Sequence, residues 1–130
     1  CIHGGVGRQL QSIEEIDSIE RPIRVSLDTS DHVEQCVLDI LWSDPCESDK
    51  EIGFKPNNFR DSANTGNIVK FGADRVQRFL SDNRLSMIIR SHECVMEGYE
   101  RSSRGDLVTV FSATDYCGKN KNPAAILYIQ

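Results

Sequence analysis

The stretch Leu85–Glu100 constrains the fold more than any other. Its apolar run, Met87 to Ile89, stops abruptly at Arg90, Ser91, His92 and Glu93. A short run rich in Ile reads as a buried strand, and the polar residues after it read as a loop. In open α/β sheets, ligands gather beyond the carboxyl ends of strands, which puts His92 where chemistry would sit. The chain opens in a similar way, with Cys1-Ile2-His3 running into Gly4-Gly5. Two glycines offer positive φ, so His3 is expected at a tight turn. There is no initiator Met, and this start reads as the end of a strand from a longer polypeptide.

The remaining elements follow from periodicity and end signals. Ser12 and Glu15 have capping-box spacing, and Ile13, Ile16 and Ile19 predict a short helix ended by Arg21-Pro22, whose role is packing. Val25 to Gln35 reads mostly as loop. Val33, Val37, Ile40 and Leu41 predict a helix over 33–41. Trp42-Ser43-Asp44-Pro45 ends it, with Asp44 either making an Asx-type turn or lying near a site. Cys46 to Asn67 lacks hydrophobic period and reads as a long loop, of a kind often functional. It carries Arg60, which alone reads as an ordinary solvated Arg. Phe71-Gly72-Ala73-Asp74 opens a third helix with Val76, Phe79 and Leu80 on its apolar side and Asn83 as its stop. Leu107–Phe111 and Ala124–Ile129 read as strands, with a loop holding Tyr116 and Cys117 between them. Early helix–strand alternation followed by strands predicts a mixed α/β or α+β domain, a mixed sheet with flanking helices.

Composition narrows the function classes. At 130 residues the chain is one domain or part of one, and 38% hydrophobic with 27% charged residues suits a globular core. A net charge of −5 argues against nucleic acid as a partner, since such binders carry a basic stripe. No apolar run approaches the about 20 residues that a membrane span needs, so no membrane association is expected. Five cysteines, with no Cys-x-x-Cys, fit neither a zinc ribbon nor a disulfide framework. Reduced thiols in an intracellular compartment, cytoplasmic or nuclear, are the expectation.

Candidate chemistry rests on few residues. Of the three histidines, His32 lies in a polar run and reads as exposed. His3 and His92 each follow a short apolar run. They are either two ligands of one metal, since imidazole binds Mn, Fe and Zn, or two satisfied histidines at turns. Ser43 and Ser112 lack a nucleophile-elbow context, Cys94 and Cys117 sit in no catalytic pattern, and no phosphate-cradling Gly-rich motif with Lys is present.

At these residues a resemblance emerges. The stretches are His3-Gly4-Gly5, Leu41-Trp42-Ser43-Asp44-Pro45, Phe71-Gly72, Ile89-Arg90-Ser91-His92-Glu93 with Met96-Glu97-Gly98-Tyr99-Glu100, and Val108–Ala113 with Tyr116-Cys117-Gly118. In this order they resemble the carboxy-terminal half of the catalytic domain of the phosphoprotein phosphatase (PPP) family of serine/threonine phosphatases. The wording around His92-Glu93-Cys94-Val95-Met96 and Ser112–Tyr116 is closest to the subgroup with amino-terminal kelch repeats.

The resemblance implies a partial calcineurin-like metallophosphoesterase sandwich, with residues 1–130 as its carboxy-terminal part and the amino-terminal half absent. It implies hydrolysis of phosphoserine and phosphothreonine in proteins by a water activated between two metal ions, Mn or Fe and Zn. By the same resemblance His3 and His92 are metal ligands, Arg60 clamps phosphate, Tyr116 borders the metal site and Asp44 supports it. Cys117 matches a thiol beside the cleft. Regulatory subunits or an appended kelch domain are the implied partners. The family's Gly-Asp-x-His-Gly, Gly-Asp-x-Val-Asp-Arg-Gly and Gly-Asn-His-Glu motifs do not occur here, so the chain by itself is expected to be inactive and to hold no metal. Thr114-Asp115 and Asp61 depart from the family wording. They leave a second reading, a non-catalytic protein-interaction module derived from the same fold.

Overall fold

A computed structural model describes residues 1–130. Ser12 caps the first helix, α1 (Ile13–Asp17): its Oγ accepts the Glu15 N–H, and Glu15 Oε2 accepts the Ser12 N–H. The capping box therefore forms as its spacing predicts. The helix stops at Asp17, so Ile19 is buried beyond it rather than on its face. The second helix, α2 (His32–Trp42), starts one residue before the predicted one because Asp31 caps it, accepting the Glu34 N–H. Its buried face is Cys36, Val37, Leu38 and Asp39, while Val33 is exposed. α3 (Ala73–Asp82) buries Ala73, Val76, Phe79 and Leu80 and ends at Asn83, as its pattern predicts. Asn83 also accepts from Ile13 N and donates to Gln11 O, locking the two helix ends together. No helix is long and apolar enough to cross a membrane.

The strands form two small mixed sheets. In one, β1 (Asp44–Pro45) lies parallel to β3 (Val69–Phe71), and β2 (Phe54–Pro56) lies antiparallel on its other side. In the other, β6 (Leu107–Val110) is central, with β4 (Ile88–Arg90) parallel and β5 (Tyr99–Ser102) antiparallel. β2 lies inside the segment expected to be a loop; three residues ending in Pro carry no alternation to read. The expected strand Ala124–Ile129 does not form. Both edges of β6 are already taken, and Ile126 is 90% exposed. The segment is tied just beyond β6, where Ala125 N–H donates to Phe111 O and Ser112 Oγ donates to Ala125 O.

One core joins the two sheets: Phe71 from β3, Val76, Phe79 and Leu80 from α3, Ile88 and Leu107 from β4 and β6, and Val6 and Leu10 from the opening segment. Burying eight such side chains, each worth about 1.5–3 kcal/mol, supplies the main drive to hold the sheets together. The opening segment is pinned along β4, with Ile2 N–H donating to Ile89 O and Ser91 N–H donating to His3 O. Gly4 and Gly5 are required by space, not by positive φ, which neither adopts. A Cβ on Gly4 would lie 2.8 Å from the Leu41 carbonyl carbon, and one on Gly5 would lie 2.3 Å from the Phe71 ring.

Candidate active site

β4 and the pinned opening segment end side by side, and this brings His3 to His92 across 89 residues of chain. His3 Nε2 lies 3.1 Å from His92 Nδ1, with the rings edge to face at 4.8 Å between centroids. Trp42, at the end of α2, stands edge-on to the His92 ring at 5.5 Å. His92 has φ of 71°, a left-handed conformation that is costly for a residue with a Cβ.

Beneath the histidines lies a buried ion network. Arg90 ends β4 with its side chain fully buried, and its guanidinium spans four groups. Its Nε donates to Gly4 O at 2.6 Å, Nη1 to Glu93 Oε2 at 2.6 Å, and Nη2 to Asp44 Oδ1 at 2.9 Å and Ser43 O at 3.4 Å. The other Asp44 oxygen, Oδ2, accepts from Asn57 Nδ2 at 2.9 Å and Arg60 Nε at 3.0 Å. Asp44 is thus no Asx turn; its carboxylate is the hub of the network, and its backbone is extended in β1. Arg60 Nη2 donates onward to His92 O at 3.3 Å.

These charges fix the protonation states. Burial alone would raise the Asp44 carboxyl, but hydrogen bonds from Asn57 and Arg60 and the guanidinium charges of Arg60 and Arg90 hold it below the usual carboxylate range. Burial and the Arg60 charge push His92 down to about 4, with Asp44 opposing them, so its imidazole is neutral at ordinary pH. Burial and the neighbouring Asp44 raise the Glu93 carboxyl, with Arg90 working against them.

Neutral imidazole is the metal-binding form. His92 Nε2 is buried without a hydrogen-bond partner, 3.9 Å from Asp44 Oδ1. A hydrogen on Nε2, facing that carboxylate, leaves the Nδ1 lone pair directed at His3 Nε2. Two nitrogens bound to one ion at about 2.0–2.1 Å each stand about 2.9 Å apart in an octahedron and about 3.3 Å in a tetrahedron, and the observed 3.1 Å lies between these. The pair therefore suits one metal ion, and two donors make up only part of a coordination shell.

An open cleft beside the pair is lined by Arg60, His92, Glu93, Cys94, Phe111 and Tyr116. Tyr116 is half-exposed and packs edge to face on Phe111 at 5.1 Å. Its turn is built by Asn122, which is buried, accepts the Tyr116 N–H and donates to Ala113 O and Pro123 O. Asp115 turns its carboxylate to the Lys121 N–H. Cys94 lines the cleft, whereas Cys117 sits exposed on the turn after Tyr116. Asp61, one of the departures, closes the loop after Arg60 by accepting from Thr65 N, Thr65 Oγ1 and Gly66 N. Burial raises its carboxyl, but these bonds outweigh burial and hold it low.

All five residues singled out in the sequence, His3, Asp44, Arg60, His92 and Tyr116, gather at this end of the sheets. Sequence reasoning missed Asn57, Arg90, Glu93 and Asn122. Arg90 left the clearest signal, a cation closing an apolar strand, where only a buried partner would make it tolerable.

A profile of the family described as calcineurin-like phosphoesterase matches residues 1–96. The chain belongs to the calcineurin-like phosphoesterase family. Its fold is that of this metallophosphoesterase family, whose name implies metal cofactors. The chain is 45% identical over 129 residues to the serine/threonine-protein phosphatase BSL2 of Arabidopsis thaliana, covering 99% of this chain and 12% of that protein. It also resembles a solved protein serine/threonine phosphatase from Saccharomyces cerevisiae, described as similar to human phosphatase PP5. That match has a TM-score of 0.74 and 31% identity, and covers 92% of this chain and 33% of the other. The calcineurin-like chain therefore spans a small part of the phosphatases it matches.

Proposed function

We propose that the chain is the carboxy-terminal part of the catalytic domain of a protein serine/threonine phosphatase, acting on phosphoserine and phosphothreonine in proteins. The observation that carries this is the facing nitrogen pair of His3 and His92, 3.1 Å apart, beside Arg60 at the end of β4. Phosphatases among its relatives support the substrate class. His3 Nε2 and His92 Nδ1 hold one metal ion, and Mn, Fe and Zn all suit imidazole. Metal ions supply Lewis-acid polarisation of the phosphoryl group and an activated water.

This chain's own residues do the rest. Burial and the Arg60 guanidinium keep His92 neutral, and Asp44 anchors Arg60. Arg60 presents its remaining N–H groups to phosphate oxygens, for which a planar fork is well shaped. Tyr116 and Phe111 form the apolar wall of the cleft. Two imidazoles are fewer ligands than a catalytic metal site needs, so the other ligands come from another part of the parent polypeptide. Substrate specificity comes from regulatory subunits or an appended kelch-repeat domain. Five free thiols suit an intracellular setting, cytoplasmic or nuclear.

The test is hydrolysis of phosphoserine and phosphothreonine peptides by the parent polypeptide with Mn²⁺. His92→Ala is expected to abolish metal-dependent turnover, and Arg60→Ala to lower kcat by about 10²–10³-fold, as for loss of one preorganised donor. The 130-residue chain alone is expected to be inactive. A parent that binds these peptides without turning them over would point to the interaction module instead.

A further inference from the structure

Away from the His3–His92 pair, a second set of metal-ligating side chains meets where α1 packs near the start of α2. We propose that Glu15, His32 and Cys36 form a Zn²⁺ site that ties α1 to the first turns of α2. His32 Nε2 lies 3.4 Å from Glu15 Oε1 and 3.7 Å from Cys36 Sγ. All three donor atoms lie within 4.8 Å of one another. Zinc bonds of about 2.3 Å to sulfur and 2.0–2.2 Å to nitrogen and oxygen, in a tetrahedron, put neighbouring ligands about 3.3–3.6 Å apart. The two measured separations match that spacing within about 0.1 Å.

Two of the donors are aimed by a second contact. His32 Nδ1 lies 3.3 Å from Gln9 Oε1, an acceptor ready to hold the ring hydrogen on Nδ1 when Nε2 binds an ion. Glu15 Oε2 is occupied by the N–H groups of Gln11 and Ser12, which leaves Oε1 for a metal. Cys36 is buried and follows His32 by four residues, one helical turn, so both lie on one side of α2. His32 itself is more than half exposed, which gives an ion a path in and water a fourth position.

Charge and chemistry select the ion. A helix start repels cations, but Glu15, Asp31 and Asp39 surround the thiol and reverse that field. Burial, with the same three carboxylates, raises the Cys36 thiol to about 11, so it is protonated in the metal-free chain. Zinc binding forms a Zn–S bond and releases the thiol proton to solvent. A mixed sulfur, nitrogen and oxygen set favours Zn²⁺ over Mg²⁺ and Mn²⁺. The site joins two elements of the fold, and unlike the His3–His92 pair it contains sulfur.

Cobalt(II) titration of the full chain tests this, because a thiolate ligand gives a near-ultraviolet charge-transfer band that imidazole and carboxylate do not. The expected result is one equivalent of Co²⁺ with that band, displaced by Zn²⁺. Cys36→Ala is expected to abolish the band. His32→Ala and Glu15→Gln are expected to weaken Co²⁺ affinity at least about tenfold. His32 is exposed, and a glutamine side chain still closes the capping box with Ser12, so neither change depends on repacking the core. A natively folded chain without the band overturns the proposal. So does a band that survives Cys36→Ala, or an affinity unchanged in both His32→Ala and Glu15→Gln.

Discussion

Burial pushes the Asp39 carboxyl up to about 6 from an ordinary 3.8, against the pull of the Gln9 and Leu10 N–H groups that Oδ2 accepts. Its other oxygen fills the space over Gly7, where a Cβ would lie 1.8 Å away. The sign of its effect follows from the direction of the shift. Below about 4 the group is protonated in both folded and unfolded chains. Between about 4 and 6 the folded chain holds more protons, so stability falls as pH rises through that window. The loss amounts to about 3 kcal/mol, two pKa units at about 1.4 kcal/mol each. Asp39→Asn keeps the accepting oxygen and removes the charge. The difference in unfolding free energy between Asp39→Asn and wild type, by urea denaturation, is expected to shift by about 3 kcal/mol in favour of Asn between pH 4 and pH 7.5. A difference independent of pH would show that Asp39 carries no such cost.

Among elements, the opening segment is held at the closest tolerances. Gly4→Ala drives a Cβ against the Leu41 and Ser43 backbone, which cannot swing aside, and Gly5→Ala meets a Phe71 ring that is fully buried. Each is expected to cost about 1–3 kcal/mol, Gly4→Ala the more, read as a lower urea midpoint at unchanged m-value. Much of this layer was legible in the chain. Ser12 with Glu15, the apolar side of α3 and the stop at Asn83 are local signals that tertiary packing did not override. The sites of His3 and His92 were legible because a strand end leaves a polar residue at a predictable place. The reason for Gly4 and Gly5 was not, since close approach depends on α2 and β3, which arrive from elsewhere. The hub role of Asp44 was hidden for the same reason: its partners come from positions 57, 60 and 90. Ile126, Leu127, Tyr128 and Ile129 have strand composition, but these residues found no free edge beside β6.

Over the whole molecule, large apolar side chains remain at the surface. Ile126, Tyr128 and Ile129 project from the last segment, and Cys1, Ile2, Ile13, Ile16, Leu85 and Met87 line a hollow on another side. β1, β2 and β5 also present edges without a strand neighbour. Exposed apolar surface and open edges promote association. The isolated 130-residue chain is therefore expected to self-associate with rising concentration, measured by sedimentation velocity; a strictly monomeric profile would contradict it. Arg90, described above as a bridge between charges, also has a consequence in time. Its partners Gly4 and Asp44 lie 86 and 46 residues away along the chain, and His3 lies 89 from His92. Contacts so distant close slowly and late, because loop-closure entropy is lost before they form. A partly folded chain has no pair of facing imidazoles. An ion held between His3 and His92 recognises only the finished fold, so its binding counts completed molecules rather than folded pieces.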